Sequence, residues 1–214
     1  MAMEKNQTSA LNRSFWLGKL FSLVGIVPLG FYVIAHLYQN MRSLGGEQAF
    51  NQHLESSHSM PMIVPITILV IWVPIAFHGI YGLIAMSKAR PNLNRFPFFE
   101  NLKYVVQRLS AIGLLLFIPA HIFKTRIEPQ LEGSPLDFHH MVEGLHEPLT
   151  LAVYLLGVLG VAYHLANGIW QASIGWGLVT SERGMKRIQA VSYFLFVILL
   201  GMGYSAIWGF YSAS

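Results

Sequence analysis

The sequence predicts an all-α membrane protein, a bundle of five transmembrane helices, and three observations lead there. Of its 214 residues 54% are hydrophobic and only 11% are charged, with a mean hydropathy of +0.49, a balance outside that of soluble domains. Five apolar stretches reach the roughly 20 residues that a helix needs to cross about 30 Å of hydrocarbon. The connections between them are too short to fold separately, and no low-complexity or Pro/Gly/Ser-rich linker marks a boundary, so residues 1–214 read as one domain.

The first span covers about 15–38. Its leader, MAMEKNQTSALNRSFWLGKL, resembles a secretory signal, but the apolar run is of full-span length and lacks a small-x-small cleavage site, so it is retained as a helix. The second span covers about 62–86, the third 104–123, the fourth 149–178 and the fifth 188–210. Pro28, Pro74 and Pro119 fall inside spans, where membrane helices tolerate proline as a kink. Gly79, Gly82, Gly113, Gly157, Gly160 and Gly168 allow close approach of a neighbouring helix or of a flat cofactor.

Lysine and arginine set the orientation, because short cytoplasmic connections are enriched in both. Lys5, Arg13 and Lys19 precede the first span, Lys88, Arg90, Arg95, Lys103 and Arg108 surround the second connection, and Arg183, Lys186 and Arg187 lie in the fourth. Only Arg42, Lys124 and Arg126 fall on the opposite side, so the N-terminus is expected inside and the C-terminus outside. The net charge of +4 therefore reflects one basic membrane face, without a base-reading motif for nucleic acid, and that face is free to dock a partner.

His36, His78, His121 and His164 each fall within an apolar span, at intervals of 42, 43 and 43 residues. An ionisable group in a span is costly and marks function by default, and neutral imidazole is a common haem ligand. A rise of about 1.5 Å per residue sorts the four by depth. His36 and His121 approach the outer face, while His78 and His164 lie in the inner half. Facing helices at one depth predict two bis-histidine irons, a distal one on His36 and His121 and a proximal one on His78 and His164. A single such histidine is readily explained by a hydrogen bond to a neighbouring helix; four on four helices, pairing by depth, are not. His53, His58, His139, His140 and His146 lie in outer connections and are expected to be solvated.

With both axial positions filled, iron is suited to electron transfer. The absence of cysteine excludes cysteine-ligated clusters, disulfides and covalently attached haem within this chain, which leaves two haems b. No strand-borne glycine fingerprint is present, so flavin chemistry belongs to another polypeptide. Haem propionates need donors, and Ser22, Arg108, Arg183, Lys186 and Arg187 near the inner face are candidates, each taken singly more readily explained as an interfacial anchor. A proton relay built on the histidines would want carboxylates inside the spans, and the five stretches contain none.

The four histidines, KLFSLVGIVPLG, FHGIYGL, VVQRLSAIG, KTRI after His121, and YHLANGIWQASIGWGLVTSERGMKRI together resemble the di-haem cytochrome b anchor of succinate:quinone oxidoreductases, in the single-subunit, five-helix form shared with quinol:fumarate reductases. The resemblance implies a bacterial cytoplasmic-membrane complex. Its flavoprotein would carry FAD, its iron–sulfur subunit would carry the clusters, and both would sit on the cytoplasmic face, leaving only quinone chemistry to this chain. It assigns the axial ligands to the same four histidines, in the same pairs. A quinone, menaquinone in the leading reading, is expected near the distal haem. Some relatives use a carboxylate near the start of the second helix, where SSHSMPM here offers His58, with Glu55 nearby. Succinate oxidation is the leading direction, with fumarate reduction, or haem b service to another membrane dehydrogenase, as alternatives.

Overall fold

A computed structural model describes residues 2–88, 98–134 and 136–213, with backbone alone at 2–11, 13 and 58. Arg90 and Arg95 lie outside the described residues, as do the side chains of Lys5, Arg13 and His58.

Among the described residues five helical segments are long and apolar enough to cross a membrane. The first is built from α1 (Ala2–Ile26) and α2 (Pro28–Asn40). Pro28 has no N–H to give the preceding turn, which makes it a natural first residue of a new helix. Val27 joins the two, its N–H donating to Leu23 O at 2.8 Å. A 3₁₀ turn (Met41–Gly45) then leads into α3 (Gly46–His58).

The second span runs through α4 (Ile63–Thr67), a π turn (Ile68–Trp72) and α5 (Val73–Ser87). Pro74 cannot complete the bond to the carbonyl four residues back, and the wider turn before it absorbs the mismatch. The third span contains α6 (Phe99–Ile122), a second π turn (Phe123–Ile127) and α7 (Glu128–Glu132). It continues past the expected end at 123 because Lys124 and Glu128, one turn apart, pair at 2.8 Å. Gly133, at φ +69°, stops it, and Ser134 N–H closes back on Pro129 O at 3.0 Å.

Next comes α8 (Phe138–His146), capped by Asp137, whose carboxylate accepts from His140 N–H at 2.8 Å. The fourth span, α9 (Pro148–Gly175), ends short of 178 because Gly177 turns left-handed at φ +72°. The fifth, α10 (Glu182–Tyr211), starts before 188 because the Ser181 hydroxyl caps it, accepting from Gly184 N–H at 3.1 Å.

The central helix is α9, flanked by α6 and α10 and touched by α1. Its buried face alternates small and bulky residues, Gly157, Val158, Ala162, Leu165 and Ala166, so the neighbours approach closely. One apolar core gathers Leu37, Ala162, Leu165 and Leu199 in the middle of the bundle. A second lies at the end carrying most of the acids and is built partly from segments that the sequence offers only as connections. There Phe50 of α3 and Phe138, Met141 and Leu145 of α8 pack on Tyr154, Val158, Ile207 and Phe210. The spacing of Phe138, Met141 and Leu145 gives α8 a single apolar face. Ser43 ties this cap to the last helix, its hydroxyl donating to Ala206 O at 2.8 Å. The two ends of the bundle are thus distinct, a basic end with Lys19, Lys88, Arg183, Lys186 and Arg187, and an acidic end covered by α3, α7 and α8.

Candidate functional site

His36 sits on the last turns of α2 and His121 on the last turn of α6, and the structure brings these two together near the acidic end. Their ring centroids are 5.8 Å apart and their planes cross at 80°. On α5 and α9, nearer the basic end, His78 and His164 meet at 6.2 Å and 88°. Imidazole nitrogens lie about 2.0–2.1 Å from first-row metals, so two rings on one ion have centroids about 6 Å apart. Both pairs have that separation. No group of three or more His, Cys, Asp or Glu side chains converges to hold a metal among the described residues. A bare ion would therefore find two protein ligands in either place, whereas haem brings its own equatorial four.

The second ring nitrogen decides which nitrogen is free to bind metal. His78 Nδ1 lies 3.1 Å from Phe21 O, and since a carbonyl only accepts, Nδ1 carries the proton and Nε2 presents its lone pair. Phe21 also stacks flat on the His78 ring, at 4.2 Å and 11°. His164 Nδ1 lies 3.2 Å from Ser110 Oγ. The Ser110 hydroxyl proton goes to Gln107 O at 2.8 Å, which leaves an oxygen lone pair facing the imidazole. Asn167 Nδ2 holds Gln107 Oε1 at 2.8 Å, which turns Gln107 Nε2 toward His164, where it donates to His164 O at 3.0 Å and also lies 3.2 Å from the same Nδ1, so Ser110 and Gln107 address that nitrogen together.

The acidic-end pair is held differently. His121 Nδ1 lies 3.3 Å from the Tyr154 hydroxyl, and its ring stacks on Phe117 of its own helix at 5.6 Å. His36 stacks on Tyr32, one turn back, at 5.3 Å. Asn40 Nδ2 approaches both His36 nitrogens at 3.4–3.5 Å but spends its best bond on His36 O at 2.8 Å.

Of the candidate anion donors, Arg108 fits that role. Its guanidinium stacks on the Tyr104 ring at 3.2 Å and its Nη1 donates to Tyr104 O at 3.2 Å, while Nε is buried with no partner. A buried unpaired donor calls for an acceptor. Ser22 is already engaged, accepting from Trp176 Nε1 at 2.7 Å and donating to Lys19 O at 3.3 Å. Arg183, Lys186 and Arg187 are exposed at the start of α10, and Lys186 pairs with Glu182 at 2.8 Å. Glu55 is exposed on α3; His58 closes that helix and its side chain lies outside the described residues.

His140 departs from the solvated reading. It is only 16% exposed, donates through Nε2 to Lys124 O at 3.0 Å and faces Glu128 at 3.6 Å. The amphipathic fold of α8 turns it inward. His139 and His146 are exposed, and His53 is half-buried beside Ser57. Sequence reasoning did not single out Phe21, Ser110, Tyr154 or Asn40. Ser110, like Gln107, carries a usable signal, a polar side chain one to two turns inside an apolar span.

Residues 92–202 match the family described as the succinate dehydrogenase/fumarate reductase transmembrane subunit. Over 199 residues the chain is 32% identical to the succinate dehydrogenase cytochrome b558 subunit of Bacillus subtilis (strain 168), an alignment covering 93% of this chain and 98% of that protein.

Proposed function

Because the chain belongs to the succinate dehydrogenase/fumarate reductase transmembrane-subunit family, we propose that it anchors a flavoprotein and an iron–sulfur subunit to a bacterial cytoplasmic membrane and carries electrons from them to a quinone, menaquinone in the first instance. His78 and His164 hold the proximal haem b and His36 and His121 the distal one. The observation that carries this reading is the pair of histidine couples, each with centroids about 6 Å apart and set on four different spans.

A haem with both axial positions filled passes single electrons and offers no open site to oxygen or substrate. The protein's own contribution is orientation. Phe21 O fixes the His78 tautomer, Ser110 and Gln107 hold the His164 ring at Nδ1, and Tyr154 steadies His121. Arg108 Nε is placed to receive a propionate of the proximal haem. The basic end, with Lys19, Arg183, Lys186 and Arg187, is the cytoplasmic face on which the partner subunits dock, as the positive-inside rule requires. Glu55 and His58 remain the quinone-site candidates, close to the acidic end where the distal pair lies.

Succinate oxidation is favoured over fumarate reduction by the name of the Bacillus relative. The test is a reduced-minus-oxidised visible spectrum with pyridine haemochrome quantification on the purified complex, combined with succinate:menaquinone activity. Two haems b per chain, one lost in His78→Ala and the other in His36→Ala, is the expected result. A colourless protein, or a single haem lost in both variants, would overturn the assignment.

A further inference from the structure

Between α6 and α10, which both pack on α9 and make at most marginal contact with each other, runs a groove of about 220 Å³. It has room for roughly seven waters at about 30 Å³ each, yet it faces the lipid. Phe99, Leu102 and Tyr193, all exposed, form its rim, and Val106, Tyr163 and Phe196 line its length.

Its basic-end head contains a buried cation. Lys103 is 6% exposed, its ammonium set over the Trp170 ring at 3.6 Å and bonded to Gln189 Oε1. No ion pair with a carboxylate is found for it among the described residues, and Glu100, one turn earlier, is exposed. An ammonium can only donate, so Gln189 must turn its oxygen toward Lys103. That leaves Gln189 Nε2, in the wall of the groove, buried and without a partner. Among the described residues the head of the groove thus holds an ammonium paired with no carboxylate, shared between Gln189 Oε1 and the Trp170 and Phe99 rings, beside an amide N–H without an acceptor, an arrangement that an anion would relieve.

The groove touches the surroundings of the histidines at one lining residue, Asn167, whose Nδ2 reaches Gln107, and otherwise turns away from them. At about 100° per residue, Tyr163 and Trp170 project roughly 100–120° around α9 from His164. They face α10, while His164 faces α5.

We propose that this groove is a resident site for one anionic phospholipid, its phosphate on Lys103 and Gln189 Nε2 and an acyl chain along Val106, Tyr163 and Phe196. Charge complementarity selects an anionic lipid over a neutral one, because the head of the groove presents a cation and a free amide donor and, among the described residues, no carboxylate. The depth agrees, since Lys103 lies one turn inside the start of α6 and the apolar walls continue toward the middle of the bundle. The inference needs only that the chain spans a membrane, and does not depend on haem.

The test uses the intact complex purified in mild non-ionic detergent and washed free of loose lipid. Phosphatidylglycerol and cardiolipin are then extracted and counted per chain by mass spectrometry. The wild type should retain at least one anionic lipid. Lys103→Met should lower retention about fivefold, the effect of one basic contact near a membrane surface, and Gln189→Leu, which removes a neutral donor and the partner that holds Lys103, should lower it measurably too, with the haemochrome count unchanged in both. Lys186→Ala, on the same face but exposed and paired, should retain lipid as the wild type does. Gln189→Leu carries the test if Lys103→Met fails to assemble. Equal anionic-lipid retention in all variants, or a wild type that holds quinone or zwitterionic lipid there instead, would overturn the proposal. So would loss of haem with lipid retained in Lys103→Met, since that would assign Lys103 to the histidine pocket. Absence of haem from every sample would leave the lipid count interpretable and sink only the electron-transfer reading.

Discussion

The two histidine pairs have nearly the same separation and ring crossing, yet they are held by opposite means. At the basic end each imidazole is fixed from another helix, His78 by the Phe21 carbonyl and ring, His164 by Ser110 and Gln107. At the acidic end the neighbours are local, Tyr32 and Asn40 around His36 and Phe117 beside His121, with the Tyr154 hydroxyl as the one long-range hydrogen bond to either ring among the described residues. A π turn begins two residues after His121, and such turns recur where a helix is adjusted for function. The basic-end pair is therefore tied across helices, and the acidic-end pair chiefly within its own two helices.

The largest effects should come from the histidines themselves. His164→Ala should abolish the proximal haem, and His121→Ala the distal one, so that pyridine haemochrome falls from two to one per chain in each. Loss of both haems in His121→Ala alone would reverse the comparison, because the locally held pair would then be the one on which the other depends.

Crowding one pair at a time sharpens the contrast. A Cβ on Gly25 would run into the His78 ring, and one on Gly157 into the Phe117 ring that backs His121. Overpacking costs about 1–3 kcal/mol, and at Gly25 it falls directly on a histidine ring held by a hydrogen bond, whereas at Gly157 it falls on the Phe117 ring, one contact removed from His121. Gly25→Ala should thus cut proximal-haem retention more than Gly157→Ala cuts distal-haem retention, read as haem loss during gel filtration. Equal losses would mean that the Phe21 contacts add no rigidity.

Smaller effects are expected from the hydroxyls. Removing an outer partner of a metal-bound histidine typically costs about 10–100-fold in affinity. Tyr154→Phe strips His121 of its hydrogen bond and should fall near tenfold. Ser110→Ala should do less, since Gln107 still holds the backbone at His164. The readout is a shift in midpoint potential of one haem only, in redox titration. The smallest effect belongs to Lys186→Ala. That side chain is 77% exposed and its pair with Glu182 is of the surface kind, worth less than about 1 kcal/mol, so both haem spectra should be unchanged.

The spans and the partnering of the histidines by depth were legible because both follow from one number, the rise of a helix, applied to strong apolar runs. The helical ends were not. Extension of the third span to Glu132 rests on the Lys124–Glu128 pair, and the early start of α10 on the Ser181 cap; these are contributions of a few tenths to about 1 kcal/mol that hydropathy does not register. Nor was the acidic-end cap visible. Phe50, Met141 and Leu145 look like scattered apolar residues in polar connections until α8 and α3 coil and turn them to one side. The Phe21 carbonyl is the extreme case, since a backbone acceptor carries no trace in residue identity.

The bond between Ser43 and Ala206 spans 163 residues, and that distance is also an interval of time. At about 5–20 residues per second of synthesis, the first connection leaves the ribosome roughly 8–30 s before the last helix exists to receive it. His36 and His121 can already face each other once the third span has inserted, whereas the Ser43 bond cannot form until the C-terminal helix arrives. The order of translation thus makes this tie between the first connection and the last helix one of the latest contacts the chain can complete.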